Sequence, residues 1–232
     1  MNDGAAARAE VIGRIREALR DRPAAPHVPA LPARPPLTHN ELVELFAERV
    51  AEYRATVHRA TAAELPGVIA AVLRRWDARR IVVPAGLPDG WLAAAGVETV
   101  ADTPPLSHDK LDALDGVVTS CAVGIAESGT IVLDAGAGQG RRALSLLPDR
   151  HLCVIRAEQV VRDVPDAIPG LDPRRPLTWI SGPSATSDIE LQRVEGVHGP
   201  RVLDVIVVMR GEPAAGSPPT APAPASSTPP WG

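Results

Sequence analysis

Aromatic residues are scarce in this sequence, with four Trp, one Tyr and one Phe among 232 residues. So few rings argue against a stacking surface for single-stranded nucleic acid. Cysteine is scarcer still. Cys121 and Cys153 belong to no Cys-x-x-Cys pair of the kind that seeds a zinc or iron–sulfur site. No metal site and no iron–sulfur cluster are expected on this chain, and the two thiols are expected to stay reduced. Positive charge is not in excess: 24 basic against 28 acidic residues give a net charge of -4. No broad basic field gathers nucleic acid or an anionic membrane. No apolar run approaches the length of a membrane span. The opening MNDGAAARAEVIGRIREALR mixes acidic and basic groups where a signal peptide has a continuous apolar core. These absences predict a soluble, cytoplasmic protein whose partner is a small molecule or another protein.

Proline is plentiful but unevenly spread. Residues 21–37 hold six of the 25 prolines, and the tail from Pro213 holds seven more. The first segment reads as an extended tether and the second as a stretch unable to order itself. Three regions follow. Residues 1–37 form an amphipathic helix, over about 4–20 with Val11, Ile15 and Leu19 in register, followed by the tether. Residues 38–210 form the folded body, and residues 211–232 a Pro/Ala/Ser-rich tail.

Within the body, Thr38 with Glu41 forms a capping box for a helix whose apolar face runs Leu42, Leu45, Phe46, Val50, Tyr53 and Val57. Thr61 with Glu64 repeats the device, with Pro66 close behind. Apolar runs then alternate with helical pattern: strands at 81–83, 97–100, 115–119, 130–133, 152–155, 177–180 and 202–209, a helix about Leu92, and another at 157–167. Residues 121–126 read as a connector. This rhythm predicts an α/β layered fold.

The chemistry concentrates in Ala126 to Pro148, AESGTIVLDAGAGQGRRALSLLP. A β-branched run leads into Gly136, Gly138 and Gly140 and then Arg141 and Arg142. A glycine turn with bare N–H groups beside guanidinium forks suits a carboxylate or phosphate. A glycine-rich hairpin turn with two solvated arginines explains the same residues. The spacing is neither the dinucleotide fingerprint nor a P-loop. Glu127, flanked by apolar residues, is a candidate general base or nucleophile with a raised pKa, or simply an acceptor for the tight turn at Gly129.

A second concentration lies in SGPSATSDIELQRVEGVHGPR. Ser184 and Thr186, with Ser187 as the expected N-cap and Asp188 beside it, would place hydroxyls and free N–H groups at a helix start after a strand. Ordinary capping accounts for them equally. His198, between Gly196 and Gly199, lies on a loop beside Arg201 and is a candidate general acid or base, or a surface histidine. No serine fits a nucleophile elbow.

Taken together in this order, IAESGTIVL…GQGR…LSLLPDRHLCVI and ISGPSATSDIE…GVHGPR resemble the LUD-domain family over about residues 38–210. The resemblance implies a layered α/β sheet with flanking helices, similar to the NagB/RpiA/CoA-transferase superfamily. It also implies a role in oxidising L-lactate to pyruvate with two iron–sulfur lactate-utilisation proteins as partners. The family pattern carries an arginine where Ala185 stands, which leaves Arg141, Arg142 and Arg201 as the cations near the motifs. Kinship with the CoA transferases suggests a nucleophilic role for Glu127, although fold does not fix function. Two other functions fit the same residues: a scaffold or regulatory subunit docked through the N-terminal helix, and an acyl-CoA or sugar-phosphate transferase or isomerase.

Overall fold

The computed structural model describes residues 3–20, 34–186, 194–195 and 199–209. The chain divides into two units between Pro36 and Leu37. The first contains α1 (Asp3–Ala18), along which Val11 and Ile15 are exposed, as is Leu19 just past its end. An Arg14–Glu10 pair at 2.7 Å braces it at i,i+4 spacing. Residues 21–33 and the tail from 210, and with them most of the expected tether, lie outside the described residues.

The second unit opens with α2 (His39–Glu52), whose N-cap Thr38 forms the expected box. The Glu41 N–H donates to Thr38 Oγ1 at 3.3 Å, and the Thr38 N–H donates to Glu41 Oε2 at 2.7 Å. Its buried face is Val43, Phe46, Ala47 and Val50. The helix ends earlier than the pattern predicted. Arg54 turns the chain at φ 67, and β-branched Thr56 and Val57 begin β1 (Thr56–Thr61) instead. Next comes α3 (Leu65–Arg75). Before it the Glu64 carboxylate accepts from the Thr61 N–H at 2.9 Å and hydroxyl at 2.8 Å. Only half of that second box forms, because no side chain caps the helix itself.

β2 (Arg80–Val83), a 3-10 turn at Asp89–Leu92 and β3 (Glu98–Ala101) follow. Then come α4 (His108–Asp112), started by Ser107, and β4 (Gly116–Ser120). The expected connector contains β5 (Val123–Ile125), which forms a hairpin with β6 (Thr130–Leu133). A 3-10 turn at Arg142–Ser145 precedes β7 (Arg150–Arg156).

The helix expected at 157–167 does not form. The Gln159 side chain ties the chain into a tight turn, accepting from the Arg156 N–H at 2.9 Å and donating to the Cys121 carbonyl at 2.7 Å. Its place is taken by β8 (Val160–Val161) and α5 (Val164–Ala167). β9 (Thr178–Ile180), β10 (Ala185–Thr186), β11 (Val194–Glu195) and β12 (Val202–Met209) complete the set.

Six strands form a sheet in the order β1-β12-β7-β4-β2-β3, with every pairing parallel. A smaller sheet, β8-β5-β6-β9, lies beside it. Parallel strands buried on both faces need continuous apolar sequence, and VLDVIVVM and HLCVI supply it. Cys153, Ile155, Leu203, Val205 and Val207 face Phe46, Val50 and Ile131. Leu152, Val154, Ile206 and Val208 face Ile69, Leu73 and Trp76.

Asp204 interrupts the second face, fully buried. Its carboxylate is held by His58 Nε2 at 2.7 Å, Trp76 Nε1 at 3.0 Å and the Arg75 guanidinium. Burial pushes its pKa up, and the bonds from His58, Arg75 and Trp76 outweigh this and hold it below the usual value.

Candidate functional site

The glycine loop closes on itself and on its neighbours. The Gly136 N–H donates to Asp134 Oδ1 at 3.0 Å, the Gly138 N–H to the Ala85 carbonyl at 2.9 Å, and the Gly140 N–H to the Gly136 carbonyl at 3.4 Å. In return the Gly138 carbonyl accepts from the Ser120 N–H at 2.7 Å. Gly138 adopts φ 73, and an added Cβ would sit 2.8 Å from Ser120 Oγ. The glycines therefore let the loop dock against the carboxyl ends of β2 and β4. They do not offer a cradle of open N–H groups, because all three already have acceptors.

Arg141 is likewise engaged. It donates from Nε to Asp102 Oδ2 at 2.7 Å, and from Nη2 to Asp102 Oδ1 at 3.0 Å and the Leu106 carbonyl at 2.6 Å. The Arg141 bond first, then the Leu106 N–H, holds the Asp102 carboxyl below its usual range against the opposing effect of burial. Arg201 pairs with Asp149 on the surface.

Glu127 sits in the turn between β5 and β6, at the other end of β6 from the glycine loop. Its Oε1 accepts from Arg162 Nε at 2.9 Å, so an ion pair, and not an apolar pocket, surrounds its carboxylate. Gly129 fixes this turn: a Cβ there would lie 2.6 Å from the Arg49 backbone of α2. Ser128 Oγ, Thr130 Oγ1 and Ser181 Oγ form a chain of hydroxyls at 2.7 and 2.8 Å. Ser187, Asp188 and His198 lie outside the described residues, and of Thr186 only the backbone, paired in β10, is described.

Polar and apolar groups converge elsewhere. A cavity of about 490 Å³ opens at the amino ends of β7 and β12, where His151 and Leu203 are register partners. Its apolar wall includes Leu146, Leu177, Ile180 and Leu203, and its polar wall includes Arg142, Ser145, Ser181 and Ser184. The volume falls within the range of about 300–1,000 Å³ of small-molecule sites. Of the expected anion-binding residues that are described, Arg142 and Ser184 line this cavity. Gly136, Gly138, Gly140, Arg141, Arg201 and Glu127 are not in its wall.

His151 is part of that wall and is itself fully buried. Its Nε2 lies 2.8 Å from Thr119 Oγ1, while its Nδ1 has no hydrogen-bond partner. Burial pushes its pKa down to about 4, so the ring is neutral at ordinary pH. A buried polar atom without a partner is uncommon and calls for an explanation. Arg142 is exposed on the same cavity. Sequence reasoning passed over His151. The available signal was a polar residue just before the apolar run Leu152 to Ile155, at the start of a strand buried on both faces.

Among the described residues no three His, Cys, Asp or Glu side chains gather as a metal-binding group. No described helix is long and apolar enough to cross a membrane. Cys121 and Cys153 are free and buried. A hydrogen bond with Cys153, and burial after it, push the Cys121 thiol well above its usual pKa.

A parallel six-stranded sheet carrying a smaller mixed sheet, together with the ESG turn between β5 and β6 and the GPSAT segment after β9, defines a class. The pattern of the LUD domain matches residues 43–208, and the chain belongs to that family. It is 50% identical over 209 residues to "Lactate utilization protein C" of Deinococcus radiodurans, covering 88% of this chain and 96% of the relative. It is 31% identical over 185 residues to the protein of the same name from Halalkalibacterium halodurans, covering 73% and 80%. The crystal structure of a DUF162 family protein from Deinococcus radiodurans matches with a TM-score of 0.66 at 48% identity, covering 75% of this chain and 99% of that one. These relatives support a role in lactate utilisation.

Proposed function

We propose that this chain is a cytoplasmic component of an L-lactate utilisation system, supporting the oxidation of L-lactate to pyruvate together with two iron–sulfur partner proteins. The observation that carries this is the 50% identity, across nearly the whole of both chains, to a relative named for lactate utilisation. In the proposed arrangement the cavity at His151 receives the carboxylate. The iron–sulfur partners would supply the acceptors for the two electrons released from lactate, and the two protons would pass to water. The scarcity of cysteine suits such a division of labour. Lactate-dependent dye reduction tests it, comparing the purified chain alone with the chain mixed with its two partners. Activity in the mixture is expected. No activity in either sample overturns it.

The exposed Val11 and Ile15 of α1, with Leu19 just past its end, favour a second reading, in which the chain is a scaffold that docks its partners through this helix. Deleting residues 1–37 then breaks the complex while the body stays folded. An intact complex after the deletion discards that role.

A further inference from the structure

His151 specifies what its ligand must present. Thr119 is fully buried, and the imidazole Nε2 at 2.8 Å is the one side-chain partner of its hydroxyl among the described residues. A proton on Nε2 would leave both the threonine hydroxyl hydrogen and Nδ1 without partners. A proton on Nδ1 lets the threonine donate to Nε2, and leaves one unmatched group, the Nδ1–H donor. The second arrangement strands fewer polar atoms, so the group left unmatched is the Nδ1–H donor of a ring that is part of the cavity wall.

Arg142 supplies one positive charge to the same cavity, which suits one carboxylate better than a dianionic phosphate. The space exceeds what lactate fills. At about 30 Å³ per water-sized atom, a six-atom acid takes roughly 180 Å³, against about 490 Å³ available. Leu146, Leu177, Ile180 and Leu203 border the remainder.

We propose that this cavity binds 2-hydroxy and 2-oxo acids, with the carboxylate on Arg142, the 2-oxygen on His151 Nδ1, and a preference for apolar side chains longer than the methyl group of lactate. The proposal rests on the carboxylate-binding reading above. It adds the two contact residues and the preference for chain length.

Calorimetric titration of the full-length chain with propionate, pyruvate, L-lactate, L-2-hydroxybutyrate and L-2-hydroxyisocaproate tests it. L-lactate binds about tenfold tighter than propionate, which lacks the 2-oxygen. Affinity rises roughly two- to fourfold with each added methylene. Arg142→Ala, on the surface and safe for folding, weakens every acid about tenfold or more. Thr119→Val frees Nε2 to carry the proton and turns Nδ1 into an acceptor. Pyruvate, which can only accept at its 2-oxygen, then loses affinity relative to L-lactate, whose hydroxyl can donate.

Affinity that is level or falling along the series, no binding of any acid, or unchanged binding by Arg142→Ala overturns the proposal. A rising series from a chain whose reconstituted mixture does not reduce dye with lactate supports the cavity assignment and sinks only the lactate-oxidation reading.

Discussion

The glycine loop and the His151 cavity stand at opposite ends of one parallel sheet, the loop against the carboxyl ends of β2 and β4, the cavity against the amino ends of β7 and β12. The loop carries the more suggestive sequence, yet its glycine N–H groups and Arg141 all have partners within the protein. The cavity has the plainer sequence, and one buried ring nitrogen there is unmatched. Residues that complete each other's hydrogen bonds hold a fold together. A polar atom left over in a residue of a cavity wall is where a ligand has something to gain.

Four measurements can break or sharpen this contrast. The largest effect concerns His151 and pH. The unfolded chain protonates this residue near pH 6.5, while the folded chain refuses the proton until about 4. Stability associated with it is therefore complete above 6.5 and lost as pH falls across that window, by roughly 3 kcal/mol at the acid end. Urea unfolding at a series of pH values should show the native chain losing stability relative to His151→Phe as the buffer is acidified from 6.5 towards 4. Parallel curves would contradict a neutral, buried imidazole.

Gly138→Ala comes next. It forces an L side chain into φ 73 against Ser120 and should cost about 1–3 kcal/mol of stability, while carboxylate affinity stays within about twofold. Arg141→Ala removes the Asp102 pair and should cost about 1 kcal/mol, since the guanidinium is one-third exposed; again binding is unaffected. Arg142→Ala should leave stability within about 0.5 kcal/mol and change binding alone. If Arg141 and Arg142 exchanged these behaviours, the ligand site would belong at the glycine loop after all.

Much of the fold was legible in the sequence because its strands are buried on both faces. The runs at 130–133, 152–155 and 202–209 all lie within strands, and the box at Thr38 and Glu41 starts α2. Elements fixed by distant partners were not legible. β1 forms because β12 provides a ladder for it, and the region after Ala157 is shaped by a glutamine bonded to the Cys121 carbonyl. The site was less legible than the fold for the same reason. Glycines and paired arginines look alike in sequence whether they face a ligand or face each other, and only neighbouring chain such as Ala85 and Asp102 decides. The unmatched nitrogen of His151 depends on which group Thr119, 32 positions away, leaves unoccupied.

The strand order also constrains how the protein is made. β12 lies between β1 and β7, so β1, completed at Thr61, has no ladder partner until Val202 to Met209 have been synthesised. On the ribosome the other four strands of the large sheet can assemble first, with an open edge at β7, while β1 waits apart. The last described strand is thus the wedge that closes the sheet. A nascent chain halted before Val202 leaves two unpaired edges exposed, the configuration most prone to pairing with a neighbouring chain.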